Sequence, residues 1–335
     1  MLVVDDSTTA RRLLVSLCER DPGIRVVGEA ADGEEAVKLN ERLKPSLILM
    51  DVHMPVLDGV EATKQIMREQ PTPIIMVTAG TSPADVEAGL SAIRFGALTV
   101  LPKPVAPGVP GFEATADRLT AMVKAMADVK LIRRRAPTHE RDSRTVPRTG
   151  GLVAVAASTG GPPAVCRFLQ MLPVDLSVPV VVVQHIVEGF LPGLAAWLRT
   201  EVPFHVEVAF HGQRLEAGTV YLAPDGRHLE VGSDLRVNLT TSPLVEGFRP
   251  SASVLFASLA RSLGPDAIAV VLTGMGHDGL QGARLLRNAG GRVLAQDEAT
   301  SVVYGMPKAV VEAGLADFSA PVEQLAAHVI SLLRG

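Results

Sequence analysis

The sequence predicts an α/β protein of two doubly wound domains with mostly parallel sheets, the second carrying a β-hairpin insertion. Three observations lead there. Short β-rich runs alternate with amphipathic, helix-length stretches five times from Met1 onward; the alternation fails beyond Leu131, where Arg133 to Gly150 is rich in Arg, Thr, Ser and Pro; and it resumes at Leu152. A chain of 335 residues has room for about two domains, each able to bury its own core. The expected division is a first domain over 1–130, an exposed linker over 131–150 and a second domain over 151–335.

Composition narrows the class of function. Hydrophobic residues make up 47 % of the chain and charged residues 20 %, an ordinary globular balance. A net charge of -4, with no long basic stripe, argues against nucleic acid as a partner. The basic cluster Arg133-Arg134-Arg135 falls in the linker. Cys18 and Cys166 both lie in apolar helical patterns, so they read as small buried hydrophobes rather than a disulfide or metal set. No apolar run reaches the ~20 residues of a membrane span, and Asp5 and Asp6 interrupt any signal-peptide pattern, so the expected location is cytoplasmic, without membrane insertion.

In the first domain the expected strands are Leu2–Val4, Ile24–Glu29, Leu47–Met50, Ile74–Val77 and Leu98–Leu101. The expected helices are Thr8–Arg20, Gly33–Leu43, Gly59–Glu69, Pro83–Arg94 and Glu113–Lys130. Ligands of such sheets bind beyond the carboxyl ends of the strands, so the residues there carry the information. They are Asp5 and Asp6 after the first strand, Asp51 after the third, Thr78 after the fourth and Lys103 after the fifth. Single acids at such places are often helix caps, as Asp6 and Asp32 can be. Three carboxylates converging on one rim repel one another unless a hard cation such as Mg²⁺ lies among them. A lysine and a hydroxyl alongside complete a site for a phosphoryl group carried by Asp51.

Val3-Val4-Asp5-Asp6-Ser7, the run from Met50-Asp51-Val52-His53-Met54-Pro55 to Asp58-Gly59, and Pro102-Lys103-Pro104 resemble a response-regulator receiver domain of two-component systems. The resemblance implies Mg²⁺ binding by Asp5, Asp6 and Asp51, transfer of phosphate from a histidine kinase to Asp51, and a switch sensed through Thr78 and Lys103. The aromatic switch residue usual in that family corresponds to Val100 here. His53, beside Asp51, reads as a solvated loop histidine.

The second domain is expected to hold strands at Leu152–Ala156, Val180–Val183, Val206–Ala209, Ala267–Leu272 and Arg292–Ala295. A β-rich insertion over Thr219–Asn238, with turn signals at Pro224-Asp225-Gly226 and Gly232-Ser233, reads as one or two hairpins. The first strand stops at Ser158-Thr159-Gly160-Gly161, a tight strand-to-helix turn. Taken alone, that turn suits either a nucleophilic serine or a phosphate held at a helix start. Two further strand ends add Gln184-His185 and the loop Thr273 to Gly279, so Ser158, His185 and Asp278 can meet at one rim. A serine hydroxyl attacks only when an imidazole takes its proton and a carboxylate orients that imidazole. Ser158 is therefore read as nucleophile, His185 as base and then acid, and Asp278 as orienting carboxylate. Backbone N–H groups near Thr159-Gly160 and in the Gly274-Met275-Gly276 loop are read as oxyanion support. His277 is a competing base ranked below His185, and Asp278 also reads as a helix cap.

Ala157-Ser158-Thr159-Gly160-Gly161-Pro162, Gln184-His185, Tyr221-Leu222-Ala223-Pro224, Arg249-Pro250-Ser251, Leu272 to Gly279 and Ala295 to Pro307 resemble the chemotaxis protein-glutamate methylesterases. The resemblance runs from about Gly151 to the carboxyl terminus. It implies a phosphoprotein hydrolase that cleaves glutamate γ-methyl esters on the cytoplasmic helices of methyl-accepting chemoreceptors, releases methanol, can deamidate glutamine, and needs no cofactor for the ester step. Its triad falls on Ser158, His185 and Asp278 and its oxyanion contribution on Met275. After the histidine this chain has Ile186-Val187-Glu188-Gly189 where the family has a Met and a Pro-containing stretch, which leaves the substrate less defined than the chemistry. The domain order suggests that phosphorylation of Asp51 raises esterase activity. The alternative is a phosphorylation-controlled binding module with an inactive or re-targeted hydrolase domain.

Overall fold

The computed structural model describes residues 1–127, 129 and 151–334, and the chain separates into two compact units, Met1–Arg134 and Arg135–Gly335. The expected linker and its arginine cluster lie outside the described residues. Among the described residues no helix is long and apolar enough to cross a membrane.

The first unit runs β1 (Leu2–Val4), α1 (Thr8–Cys18), β2 (Gly28–Ala30), α2 (Gly33–Leu43), β3 (Ile48–Asp51), α3 (Gly59–Glu69), β4 (Ile74–Thr78), α4 (Pro83–Arg94), β5 (Thr99–Pro102) and α5 (Phe112–Ala127). Its sheet is parallel in the order β2-β1-β3-β4-β5. β1, β3 and β4 are wholly buried, as strands covered by helices on both faces must be. The helices start where a short polar side chain accepts an otherwise unpaired N–H: Ser7, Asp32, Asp58 and Ser82 each do so. The α1 cap is thus Ser7, not Asp6. The second strand is shorter than Ile24–Glu29, because β1 supplies only three residues for it to pair with.

The second unit runs β6 (Leu152–Ala157), α6 (Gly161–Met171), β7 (Val180–Gln184), α7 (Leu191–Glu201), β8 (His205–Val208), β9 (Thr219–Leu222), β10 (His228–Val231), β11 (Val237–Thr240), α8 (Ala252–Ser262), β12 (Ala267–Val271), α9 (Leu280–Asn288), β13 (Arg292–Gln296), α10 (Met306–Glu312), β14 (Phe318–Ala320) and α11 (Val322–Arg334). Seven strands form one parallel sheet in the order β14-β13-β12-β6-β7-β9-β8. Leu152, Ala154 and Ala156 of β6 pack with Leu255, Phe256 and Leu259 of α8, while the alternate residues point to the opposite face. Cys18 and Cys166 are both buried and unbridged.

Two elements differ from expectation. Thr219–Leu222 is no part of an insertion but a buried parallel strand between β7 and β8. Of the expected insertion, β10 and β11 form the antiparallel hairpin, paired from His228↔Thr240 to Val231↔Val237. A four-residue apolar run between turns looks alike in both settings, so periodicity does not separate them. The three-residue edge strand β14 is too short to leave a pattern.

Both sheets reverse their winding beside the first strand of the unit. In the first this point lies between β1 and β3, and in the second between β6 and β12. At such a reversal the loops diverge and leave a crevice at the carboxyl ends. Asp5 and Asp51 flank one crevice; Ser158 and the Thr273–Gly279 loop flank the other.

Candidate active site

In the second unit three neighbouring strand ends converge. Ala157 pairs with Gln184, so Ser158 and His185 each stand one residue past a matched pair, and the His185 N–H donates to the Ala157 carbonyl at 2.9 Å. On the other side the Ser158 N–H donates to the Thr273 carbonyl at 3.1 Å. The turn after Ser158 needs glycine: Gly160 has φ 72°, and a Cβ there would strike Val302. Gly274 is required for another reason. A Cβ on it would lie 2.8 Å from the Ser158 Cβ, so its absence lets the Gly274-Met275 backbone pass directly beside Ser158.

Asp278 is buried and faces His185, with Oδ2 3.0 Å from the imidazole Nε2. The two groups are at ion-pair distance, but among the described residues neither ring nitrogen makes a hydrogen bond of good angle. Catalytic contacts are often this loose before substrate binds. The carboxylate itself is held firmly: Oδ1 accepts from the Ser251 hydroxyl at 2.7 Å, the Ser253 N–H at 3.1 Å and the Gly279 N–H at 2.8 Å, while Oδ2 accepts from the Ala252 N–H at 2.7 Å. Asp278 therefore sits on the amino end of α8, where free N–H groups and the helix dipole favour a negative charge. Burial pushes its pKa up, but the His185 contact, the Ser251 hydroxyl and the Ala252 N–H outweigh it and hold the carboxyl below its ordinary value.

His277, the competing base, is 65 % exposed and lies 3.5 Å from the carboxylate of Glu246 instead of pairing with Asp278. Thr159 is buried, and its carbonyl accepts from the Thr273 hydroxyl at 3.0 Å. Met275 is half-buried in the loop beside Ser158.

Three supporting side chains carried no role in the sequence reading. Gln184 Nε2 donates to the carbonyls of both Ser158 (2.8 Å) and His185 (2.9 Å), tying the two strand ends together. Its signal was an amide ending an otherwise all-valine strand. Ser251, in the Arg249-Pro250-Ser251 segment, caps α8 and reaches Asp278. Phe248 stacks on His185, and nothing local in the sequence marked it.

In the first unit Asp5 and Asp51 are buried and Asp6 is exposed, and one oxygen from each lies within 4.8 Å of the others. Lys103 Nζ stands 2.8 Å from Asp5 Oδ2 and 2.7 Å from Asp51 Oδ2. Burial raises the pKa of Asp51, and Lys103 only partly offsets it. For Lys103, burial disfavours the charge, yet Asp5 and Asp51 prevail and raise its pKa. Thr78 is buried at the end of β4 and donates its hydroxyl to the Gly80 carbonyl at 3.1 Å. Val100 is buried, and His53 pairs with Asp85 at 2.8 Å.

The balance at Asp51 has a sign that can be measured. A carboxyl whose folded pKa is raised costs the fold stability as pH rises from its unfolded value, about 3.9, through the folded one, and the cost is complete above that. Asp51→Asn removes it, so in metal-free buffer near pH 7 the first unit should melt at a higher temperature than wild type. Added Mg²⁺ should narrow the gap; differential scanning calorimetry reads both.

The family model for the response regulator receiver domain matches residues 1–109, and that for CheB methylesterase matches residues 153–329. Protein-glutamate methylesterase/protein-glutamine glutaminase 4 of Myxococcus xanthus (strain DK1622) is 51 % identical, over 100 % of this chain and 97 % of its own length. Protein-glutamate methylesterase/protein-glutamine glutaminase 3 of Anaeromyxobacter dehalogenans (strain 2CP-C) is 49 % identical, over 95 % and 94 %. The crystal structure of the Thermotoga maritima CheB methylesterase catalytic domain superposes with a TM-score of 0.53 at 36 % identity, covering 55 % of this chain and 100 % of that one. A matched catalytic domain, a matched receiver ahead of it and relatives aligned end to end place the chain in the CheB methylesterase family.

Proposed function

We propose that the chain is a serine hydrolase that removes glutamate γ-methyl esters from chemoreceptors and is activated when its receiver is phosphorylated. The observation that carries the reading is the Asp278–His185 pair set beside Ser158 at the sheet reversal. Ser158 Oγ attacks the ester carbonyl while the His185 nitrogen not facing Asp278 takes its proton. The tetrahedral oxyanion is met by backbone N–H groups at Met275 and beside Thr159, brought near by Gly274. Collapse breaks the C–OCH3 bond, and His185 returns the proton so that methanol leaves. Water, deprotonated by His185, then cleaves the acyl-serine to give glutamate and free Ser158. The same sequence on a glutamine side chain releases ammonia, consistent with the double name of the relatives.

The receiver is proposed to span 1–130, the catalytic domain 151–335, with 131–150 joining them. Asp51 is the proposed phosphoacceptor, a histidine kinase its donor, and the cytoplasmic helices of methyl-accepting chemoreceptors the substrate. The all-oxygen set of Asp5, Asp6 and Asp51, with one oxygen of each within 4.8 Å of the others, suits Mg²⁺. When bound, Mg²⁺ would offset the charge of the phosphoryl group. Lys103 supplies the protein's own counter-charge, and Thr78 is the proposed sensor of the phosphorylated state.

The test is methanol release from a methylated receptor fragment, with and without acetyl phosphate. Wild type should release methanol and accelerate roughly 5- to 150-fold with donor, the range of a modest coupling free energy, while Asp51→Asn should keep its basal rate and not respond. No release from wild type whose Asp51 takes phosphate would instead favour a binding module.

A further inference from the structure

We infer that Phe248 is a positioning residue for the reaction, holding the His185 imidazole in its working plane. The inference rests on the reading of His185 as the base. The two rings lie with centroids 3.9 Å apart and planes 2° from parallel. The His185 side chain is only 4 % exposed, yet among the described residues neither ring nitrogen is fixed by a hydrogen bond of good angle. Asp278 alone therefore does not define the rotation of the ring about its Cβ–Cγ axis. A flat surface stacked on it does, because turning the imidazole would drive an edge into the phenyl face.

The segment bearing Phe248 is built to be stiff. Val245 and Phe248 exchange backbone hydrogen bonds of 3.1 and 2.9 Å across a two-residue turn, in which Glu246 and Gly247 have φ of 54° and 83°. Such a turn reverses the chain tightly, and Glu246 adopts a conformation that non-glycine residues seldom take. Arg249 next to it donates to the carbonyls of Thr241 and Ser242, both at 3.1 Å, and its own carbonyl accepts from the Gly226 N–H at 3.2 Å. Two residues on, Ser251 bonds Asp278. One segment thus holds the carboxylate through Ser251 and the imidazole through Phe248. An aromatic face also favours the imidazolium that forms when Ser158 gives up its proton.

The test uses the full chain with Phe248→Leu, which fills space without a flat face, and Phe248→Tyr, which keeps one. Methanol release should show kcat lowered on the order of tenfold to hundredfold in the leucine variant, the scale of a displaced reacting group, with KM little changed. The tyrosine variant should recover most of the loss. In proton–carbon NMR of histidine-labelled protein, the His185 ring protons, assigned by their absence in His185→Ala, should be shifted upfield in wild type and Phe248→Tyr but not in Phe248→Leu. Wild-type kcat in Phe248→Leu, or His185 resonances identical in all three proteins, overturns the inference. Wild type that shows the upfield signals but releases no methanol defeats the esterase reading, and the inference with it, which separates that failure from a failure of stacking alone.

Discussion

Replacing Ser158 by alanine is expected to lower methanol release by on the order of 10⁴- to 10⁶-fold without unfolding the protein. The magnitude follows from what is removed: without the hydroxyl no acyl-enzyme forms, and only binding and oxyanion contacts remain to assist attack by water. Preservation of the fold follows from how Ser158 is held. Its contacts in the structure run through the backbone, from its N–H to the Thr273 carbonyl and from its own carbonyl to the Gly161 N–H and the Gln184 amide. Alanine keeps all of them. Equal melting temperatures together with the collapse in kcat would assign the loss to chemistry. A variant retaining more than about a tenth of wild-type kcat would be incompatible with Ser158 as nucleophile.

Asp278→Asn is expected to lower kcat on the order of 10⁴-fold and, unlike Ser158→Ala, to destabilise the domain as well. The first effect is the loss of the charge that holds the right imidazole tautomer and favours the imidazolium. The second comes from the four donors converging on this carboxylate: the Ser251 hydroxyl and the N–H groups of Ala252, Ser253 and Gly279. An amide turns one acceptor oxygen into a donor, leaving at least one buried N–H unpaired at a cost of about 1–3 kcal/mol. The negative charge at the amino end of α8 is lost too. The acid side separates the two proteins further. Because the folded pKa of Asp278 is depressed, its stabilisation is present above the unfolded value of about 3.9 and fades as pH falls through the lower folded value. Wild type should therefore lose stability over that interval, and Asp278→Asn should lack this component; chemical denaturation at successive pH values measures both.

These two residues also mark how far a sequence reading reaches. Ser158 and His185 were legible as candidates because each directly follows a parallel strand, and Asp278 because it lies in the loop that leaves a third, and strand ends of one sheet share a rim whatever the intervening loops do. The same rule exposed Asp5, Asp51 and Lys103. The bounds of α2, α3 and α4 were readable because caps and apolar spacing coincide there. What sequence could not show is which helix Asp278 would cap. Gly279 beside it suggested the following helix, α9, whereas the fold brings α8, some 26 residues earlier, onto the carboxylate. Ser251, quoted only as part of a motif, and Phe248 were given no role for the same reason: their partners are distant in the chain, and no local pattern encodes a stacked ring or a cap on another element's acid. The placement of β9 failed on its pairing partners, which are a property of the sheet and not of the run itself.

The claim at the centre of this account is that Ser158 is the nucleophile of an ester hydrolase. It is tested most directly by treating the full-length chain with a fluorophosphonate, which reacts preferentially with an activated serine, and following peptide masses alongside methanol release. The account predicts a single adduct on the peptide containing Ser158, with methanol release falling in proportion to labelling, and no adduct when His185 is replaced by alanine. Labelling at another residue that abolishes release, or full labelling of Ser158 with release undiminished, would contradict it.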